Sequence, residues 1–355
     1  MGVVQRFGGF ALVAGVAAVL APASALAATI EVSPGDSIQA AVRKADPGEE
    51  IIVDPGVYHQ SVQIKKNHVA LRGAGPTPHG TVLKPPRHTK RCDHGIFGIC
   101  IAHHRNGDGD RVRTVGTRVS GFLVRGFGAS GAFALEAKDT IFRNNAFRRD
   151  GEYGGAAFSS RRTKFVHNLA TDNEEAGLYI GDSRHAGAVL RENRARHNGA
   201  FGFFLRDAAH GRLIHNRASR NCVGVGLVNV GPPGGVHDWR VRGNAVLKNN
   251  RLCPGGEEGP PSSGTGIALV GARRNFIHAN RVVGNKPSAP GTIFPGGIVL
   301  ASSKPFGGSN PAHNTISRNW AFRNEPFDIA WDGSGKGNRF RHNKCDASQP
   351  GGLCS

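Results

Sequence analysis

Two aspartate and histidine pairs with identical spacing are the residues of this sequence best suited to chemistry. Each pair has the form Asp-x-x-His after a short apolar segment, and the pairs are Asp182 with His185 and Asp207 with His210. Neighbouring carboxylates repel each other, which raises one pKa and can provide an acid and a base. Imidazole can act as a base near neutral pH, and Arg184 could neutralise the carboxylate of an acidic substrate. These five residues form the candidate catalytic group.

Aromatic residues precede both pairs at the outward position of the preceding segment. Tyr179 and Phe204 stand where corresponding segments carry small or aliphatic residues, and Arg206 lies beside the second pair. Exposed ring faces beside acids, bases and arginine are typical of a sugar-binding subsite. We therefore assign these three residues to substrate binding. The alternative is that the Asp and His residues occupy solvent-exposed turns, which favour Asp.

The chain is strongly basic. Its 355 residues include 45 Lys and Arg against 26 Asp and Glu, a formal net charge of +19 that attracts anions. Four basic residues lie four positions past predicted strand ends and would line a groove; they are Arg162, Arg184, Arg273 and Lys304. An extended polyanion fits this row, and scattered solubilising charge is the alternative. We expect no nucleic acid partner, because no groove-reading helix is predicted and aromatic residues make up 7% of the chain.

Metal ligation is not expected at the candidate group, and calcium is the cofactor left open. No Cys-x-x-Cys pair occurs, which disfavours structural zinc. An acidic set could bind calcium or be a solvated turn; it comprises Glu152, Asp172, Glu174 and Glu175. The segment 106–110 resembles a metal loop but lacks the Glu of a calcium helix-loop-helix site. The segment 237–239, His-Asp-Trp, lies on an insertion and could overhang the groove.

An asparagine repeat organises the elements that must position these residues. Asn is followed five positions later by a second Asn in six places: Asn168/Asn173, Asn193/Asn198, Asn216/Asn221, Asn244/Asn249, Asn280/Asn285 and Asn319/Asn324. A short alternating apolar segment follows each pair, which predicts a strand, and a second apolar segment precedes the next Asn. Units this short cannot bury their apolar faces alone, so they must stack as a parallel solenoid. Stacked amides about 4.8 Å apart can hydrogen-bond from coil to coil, and Asn tolerates a left-handed backbone.

The two ends of the chain carry separate signals. Residues 1–28 are typical of a secretory signal peptide, with Arg6, an apolar run over 10–20 and a small-x-small site at 25–27. The apolar run is shorter than the ~20 residues that a membrane span needs, and no other stretch could cross a bilayer. We therefore expect a secreted or cell-surface monomer with one domain over 29–355. A capping box at 36–39 predicts a short helix through Ala45 that covers the open end.

Six cysteines lie in the exported part, where oxidation is allowed, and predict three disulfides. Cys92 with Cys100 and Cys345 with Cys354 would each close a short loop that contains glycine. That leaves Cys222 to pair with Cys253.

Three N-terminal segments resemble the opening of a known family: Ser37-Ile-Gln-Ala-Ala-Val42, Pro47-Gly-Glu-Glu-Ile-Ile-Val-Asp-Pro-Gly-Val-Tyr58 and Leu71-Arg-Gly-Ala-Gly75. They are similar to secreted right-handed parallel β-helix proteins of the pectin-lyase-like superfamily, and the Asn repeats resemble the body of these proteins. The resemblance implies an all-β fold, a single-stranded right-handed parallel β-helix with a short N-terminal capping helix. The family includes lyases, hydrolases, epimerases, esterases and modules without known catalysis. The chain lacks the polygalacturonase, alginate epimerase and Arg-x-Pro-x-x-Arg pectate lyase motifs.

Two functions remain from the sequence. The first is a secreted polysaccharide lyase, or a related uronan-modifying enzyme, that works at the candidate catalytic group. The second is a non-catalytic cell-surface module that binds an acidic polysaccharide or another polyanion, for which the basic groove suffices.

Overall fold

The protein is a coil of short parallel strands in three rows, described here from a computed structural model. The structure describes residues 1–3, 29–87, 97–231, 235–255 and 260–355. The predicted signal peptide therefore lies almost wholly outside the described residues, as does Cys92. In the described part of the chain, no helix is long and apolar enough to cross a membrane.

Each row is a ladder of parallel strands, one strand per coil. The first row contains Thr29–Val32, Glu50–Val53, Ala70–Gly73, Arg118–Ser120, Ile141–Arg143, Lys164–Val166, Val189–Arg191, Phe201–Ile214, His237–Arg242, Phe276–His278, Thr315–Ser317 and Arg339–Arg341. The second row contains Gly56–His59, Thr81–Lys84, Phe122–Arg125, Ala146–Arg148, Leu169–Thr171, Arg194–Arg196, Arg217–Ser219, Ala245–Leu247, Arg281–Val283 and Trp320–Phe322. The third row contains Val62–Ile64, Ile99–Ala102, Ala132–Leu135, Tyr153–Phe158, Ala176–Ser183, Phe201–Ile214, Val223–Val228, Thr265–Val270, Gly296–Ala301, Ile329–Trp331 and Ser348–Gln349.

One long strand joins two of the rows. Phe201–Ile214 pairs with third-row strands through its first half and with first-row strands through its second half. The first and third rows therefore form one 22-stranded sheet, while the second row is a separate ten-stranded sheet. Outside the rows, His104–Arg105 pairs antiparallel with Arg111–Val112, and Thr114–Val115 pairs with Ala137–Lys138.

Alternation along the short strands of the first and second rows separates an apolar interior from a polar exterior. The middle residue of the three-residue strands points inward, as in Phe142 and Phe165, whose stacked rings have centroids 5.0 Å apart. Its two neighbours along the strand point outward, and several of them are exposed arginines, such as Arg194, Arg196 and Arg217. The outer faces of the first and second rows therefore carry exposed positive charge.

Two long buried asparagine ladders run along the coils, and a shorter one joins Asn275, Asn314 and Asn338. The Nδ2 of Asn168 donates to Oδ1 of Asn193 at 3.0 Å, and Asn193 donates in turn to Asn216 at 2.9 Å. The second ladder repeats this pattern from Asn173 through Asn198. The predicted stacking and its five-residue offset are confirmed, but the ladder Asn residues themselves do not have the left-handed backbone that the sequence suggested. The left-handed residue is the one before each Asn, such as His167 with φ 57°, because the Asn itself must aim its amide inward along the ladder.

The ends and the disulfides follow the sequence where they are described. The helix Ile38–Lys44 is capped by Ser37, whose side chain accepts from the Ala40 amide, and it buries Ile38 and Val42 against the first coils. The disulfides Cys222–Cys253 and Cys345–Cys354 are formed as predicted. The third predicted pair includes Cys92, which lies outside the described residues.

Candidate functional site

Asp182 and Asp207 occupy equivalent positions of adjacent third-row strands. Gly181 pairs with Arg206 and Ser183 with Ala208, so the two aspartates face each other across one strand spacing. Both have a left-handed backbone, with φ 50° and 47°. Desolvation raises the pKa of the Asp182 carboxyl; Arg206 lowers it and the like charge of Asp207 raises it further. The predicted carboxylate pair is therefore present, with Arg206 beside it.

The Asp207 carboxylate is occupied by the protein itself. Its Oδ1 accepts hydrogen bonds from the backbone amides of Val230 and Gly231, both at 3.1 Å, and Oδ2 lies 3.6 Å from Nε of Arg206. Only 13% of the side chain is exposed. Asp207 thus holds the segment after strand Val223–Val228, and this role competes with the predicted catalytic one.

The aromatic residues predicted to stack on a sugar are covered. Tyr179 is 1% and Phe204 is 8% exposed. The Tyr179 ring packs against Tyr153, Phe158 and Phe204, with centroid distances of 4.6, 4.7 and 5.2 Å. The prediction of exposed rings was therefore wrong. Tyr179 and Phe204 do occupy the outward positions of their strands, but other aromatic rings pack over these positions and bury them.

The two histidines approach each other by a different route from the aspartates. The chain needs two more residues between Ser183 and Val189 than between Ala208 and Arg212, so His185 and His210 are out of backbone register. Arg184 and His185 are exposed on the turn that holds the extra residues, and the rings of His185 and His210 nevertheless stack with centroids 6.1 Å apart. The predicted group is thus brought together as two parts, the aspartates with Arg206 and the histidines.

Asp238 joins the histidine part from the next coil. His210 Nδ1 lies 3.6 Å and His237 Nδ1 lies 2.7 Å from Asp238 Oδ2. Arg274 contacts both oxygens of that carboxylate at 3.1 Å. The Arg274 hydrogen bond, assisted by His237, holds the pKa of Asp238 below its ordinary value despite partial burial. Asp238 is therefore a fixed anion that orients two imidazoles and one guanidinium.

This network opens onto a cleft of about 560 Å³ on the outer face of the first row. Arg212, Arg240 and Phe276 follow one another at equivalent positions of successive coils and line it with His210 and Asp238. Both arginines are exposed, and the Phe276 ring is 37% exposed and stacks on His278 at 4.9 Å. We call this cavity the histidine cleft. It combines acid, base, arginine and an accessible ring face.

The floor of the histidine cleft depends on a buried tryptophan. Trp239 is fully buried, donates from its indole nitrogen to the Ala208 carbonyl at 2.8 Å, and packs under Gly211. A β-carbon on Gly211 would lie 2.2 Å from the Trp239 ring, so only glycine fits there. The segment 237–239 does not overhang a groove as an insertion would, because its strand pairs with Phe201–Ile214 and supplies the wall.

The comparisons with known proteins agree with this architecture. The model of the right-handed β-helix region matches residues 92–237, and a sequence search among curated proteins gives no match. A mannuronan C-5 epimerase A-module of Azotobacter vinelandii superposes with a TM-score of 0.58 at 16% identity, over 88% of this chain and 89% of that one. The chain folds as a right-handed parallel β-helix, the fold that it shares with these solved structures.

Other solved structures share the fold with different activities in their names. Pectate lyase Pel9A matches this β-helix with a TM-score of 0.50 at 14% identity, over 82% of this chain and 78% of that one. The DFA-IIIase of Arthrobacter chlorophenolicus, without its lid, gives a TM-score of 0.52 at 12% identity, covering 85% and 88%. At these identities the likeness concerns the fold.

The predicted row of basic residues does not form one line along this β-helix. Arg162 is held by a two-pronged contact with Asp139, and Arg161, rather than Arg162, pairs with Lys138 of the neighbouring coil. Arg273 pairs with His237 and is only partly exposed, with a buried Nε that has no hydrogen-bond partner. Lys304 is exposed at the start of a short 3₁₀ helix, Lys304–Phe306. Insertions of different length in each coil shift these positions out of register.

One group of described residues brings three metal-binding side chains together. The ligand atoms of His210, His237 and Asp238 all lie within 4.8 Å of one another. The Arg274 guanidinium already neutralises Asp238, so a cation would have to displace it. Calcium prefers six to eight oxygen ligands, which this histidine-rich group does not offer.

Proposed function

We propose that the protein binds an acidic polysaccharide and that one acidic sugar unit occupies the histidine cleft. The observation that carries the proposal is the joining of His210, Asp238 and three arginines around one cavity of about 560 Å³. Arginine recognises carboxylates by paired, charge-assisted hydrogen bonds. Arg212 and Arg240 lie directly opposite each other on adjacent strands, an arrangement of like charges that is unfavourable without an anion between them.

Phe276 supplies the apolar surface that the buried rings of Tyr179 and Phe204 do not. Its partly exposed ring follows Arg240 at the next equivalent position along the coils. A sugar unit whose carboxylate meets Arg212 and Arg240 can lay its ring against Phe276. Neutral sugars lack the carboxylate, so the proposal requires a preference for acidic chains.

The same geometry supports chemical modification of the bound sugar. Arginines that neutralise a uronate carboxylate make the proton on the adjacent carbon removable. His210 is the exposed base beside that position, and Asp238 orients its ring. In a lyase, His210 takes this proton, a carbon–carbon double bond forms, and the bond to the leaving sugar oxygen breaks, with a proton from solvent completing the leaving group. Asp182 and Arg206 lie on the neighbouring third-row strands, available to contact the adjoining sugar.

The experiment is an incubation with a panel of acidic polysaccharides, followed by the ultraviolet absorbance of unsaturated uronate and by binding measurements. We expect binding of at least one acidic chain, weakened ten-fold or more in the R212A/R240A variant. The R339A variant is the matched control, since Arg339 is an exposed arginine three coils beyond Arg240 at the equivalent position.

Absorbance that disappears in H210A supports a lyase. Binding without any modification of the chain supports the non-catalytic module, the second function that the sequence leaves open. Equal binding by wild type and R212A/R240A would refute the assignment of the sugar to the histidine cleft.

A further inference from the structure

We infer that the outer face of the second strand row binds a stretch of acidic glycan at a surface distinct from the histidine cleft. This surface, the basic face, is defined by Arg194, Arg217, Arg220, Lys248 and Trp320. The inference shares with the proposed function only the class of ligand, an acidic polysaccharide, and it rests on different residues of a different sheet.

The basic face concentrates cations that the protein does not neutralise. Arg194 and Arg217 lie directly opposite each other on adjacent strands. Arg220 comes directly after the strand Arg217–Ser219, and Lys248 comes directly after the next strand of the row, Ala245–Leu247. All four are exposed, and within the described ranges none of them forms an ion pair with a carboxylate. Like charges directly opposite on a sheet are destabilising. A bound polyanion would remove this repulsion.

The cations surround two adjoining depressions rather than a flat surface. One has a volume of about 920 Å³ and the other about 460 Å³, and Arg220 and Lys248 line both. The carboxylates among the lining residues are Glu192, paired with His167 at 2.8 Å, and Asp172. The depressions therefore offer a continuous concave path with an excess of positive charge.

An aromatic platform lies beyond the depressions, two coils past the strand Ala245–Leu247 in the same row. Trp320 follows Arg281 at the equivalent position of the next coil, its ring is 42% exposed, and the Arg281 guanidinium lies 5.0 Å from the ring centroid. The neighbouring Phe322 ring has its centroid 4.8 Å from that of Trp320. Arg194 and Trp320 are four strand spacings apart, about 19 Å at ~4.8 Å per spacing, so the ligand must be an extended chain.

The chemistry of the face favours a glycan over a nucleic acid. The cations stand on short parallel strands, and no described helix is available to enter a duplex groove. Single-stranded nucleic acids need successive aromatic rings on which their bases stack. The cationic part of the face has none, because its outward positions carry Leu169, Thr171, Ser219 and Leu247. One aromatic platform beyond a row of cations suits a chain with a carboxylate on each sugar and an apolar ring face at one end.

The test measures binding of a fluorescent octamer of galacturonate by anisotropy at several salt concentrations. We expect R194A/R217A to weaken binding ten-fold or more and to make the salt dependence shallower, because fewer counterions are released. W320A should weaken binding about five-fold with an unchanged salt dependence, as expected for the loss of stacking. The matched control is R339A/R341A, which removes two exposed arginines from one strand of the first row.

Three results would overturn the inference. One is unchanged binding in R194A/R217A. Another is an equal loss in R339A/R341A, which would mean that net charge alone attracts the ligand. The last is a single-stranded oligothymidylate that binds as tightly as the octamer and displaces it. The proposed function fails separately, since R212A/R240A alters the histidine cleft and leaves the basic face intact.

Discussion

Replacing Asn193 by alanine should destabilise the protein by about 4 to 6 kcal/mol. The Asn193 side chain makes four hydrogen bonds inside the first ladder, all at 2.9 to 3.0 Å. Its Oδ1 accepts from the backbone amide and from Nδ2 of Asn168, and its Nδ2 donates to the carbonyl of Phe165 and to Oδ1 of Asn216. Leaving the buried Asn168 amide without its acceptor costs about 1–3 kcal/mol. The other three bonds contribute about 1 kcal/mol each.

The assay is urea unfolding of the disulfide-intact protein, followed by circular dichroism and tryptophan fluorescence. The control is R191A, because Arg191 is exposed on the strand that ends just before this turn and should change stability by less than about 0.5 kcal/mol. A loss below about 1 kcal/mol in N193A would refute the reasoning, since it would mean that water or a shifted backbone replaces the ladder bonds.

Three further predictions concern groups whose burial or charge the structure fixes. Asp150 occupies a position of the second ladder that is Asn in the following coils, and burial raises its pKa while one of its carboxylate oxygens has no hydrogen-bond partner. D150N should therefore raise the melting temperature. Its gain over wild type should grow as pH rises above about 4, because the buried carboxyl of wild type then ionises at a cost. Because the pKa of Asp238 is lowered, D238N should be less stable than wild type at pH 7, and a series of pH-dependent melts should find that the difference shrinks as pH falls below about 4, the ordinary value of an aspartate. Y179A should lose about 3–5 kcal/mol in urea unfolding, because its ring is buried among three others; a loss below about 1 kcal/mol would mean that the ring is exposed in solution.

The candidate site was predictable in its chemistry and only partly in its residues. Acid, base, arginine and a ring face do meet, and His210 was identified from the sequence. The sequence analysis missed four residues of the cleft: Arg212, Arg240, Arg274 and Phe276. Three of them, Arg212, Arg240 and Phe276, occupy outward positions of paired strands. A signal existed, since aligning the coils by their first Asn brings Arg212, Arg240 and Phe276 to one position.

The sequence alone determined the fold, because the Asn spacing and the strand alternation are local patterns that only a stacked parallel coil can satisfy. It also predicted the two described disulfides: Cys345–Cys354 closes a short loop, and Cys222–Cys253, 31 residues apart, was the pair left by elimination among six cysteines. Tertiary structure decided which outward side chains reach solvent. Tyr179 is buried by rings from neighbouring coils, Asp207 is taken by backbone amides of another segment, and His185 is shifted by a two-residue insertion. Exposure and pairing depend on what adjacent coils supply, at separations of 21 residues or more along the chain, and a local pattern carries no information about those partners.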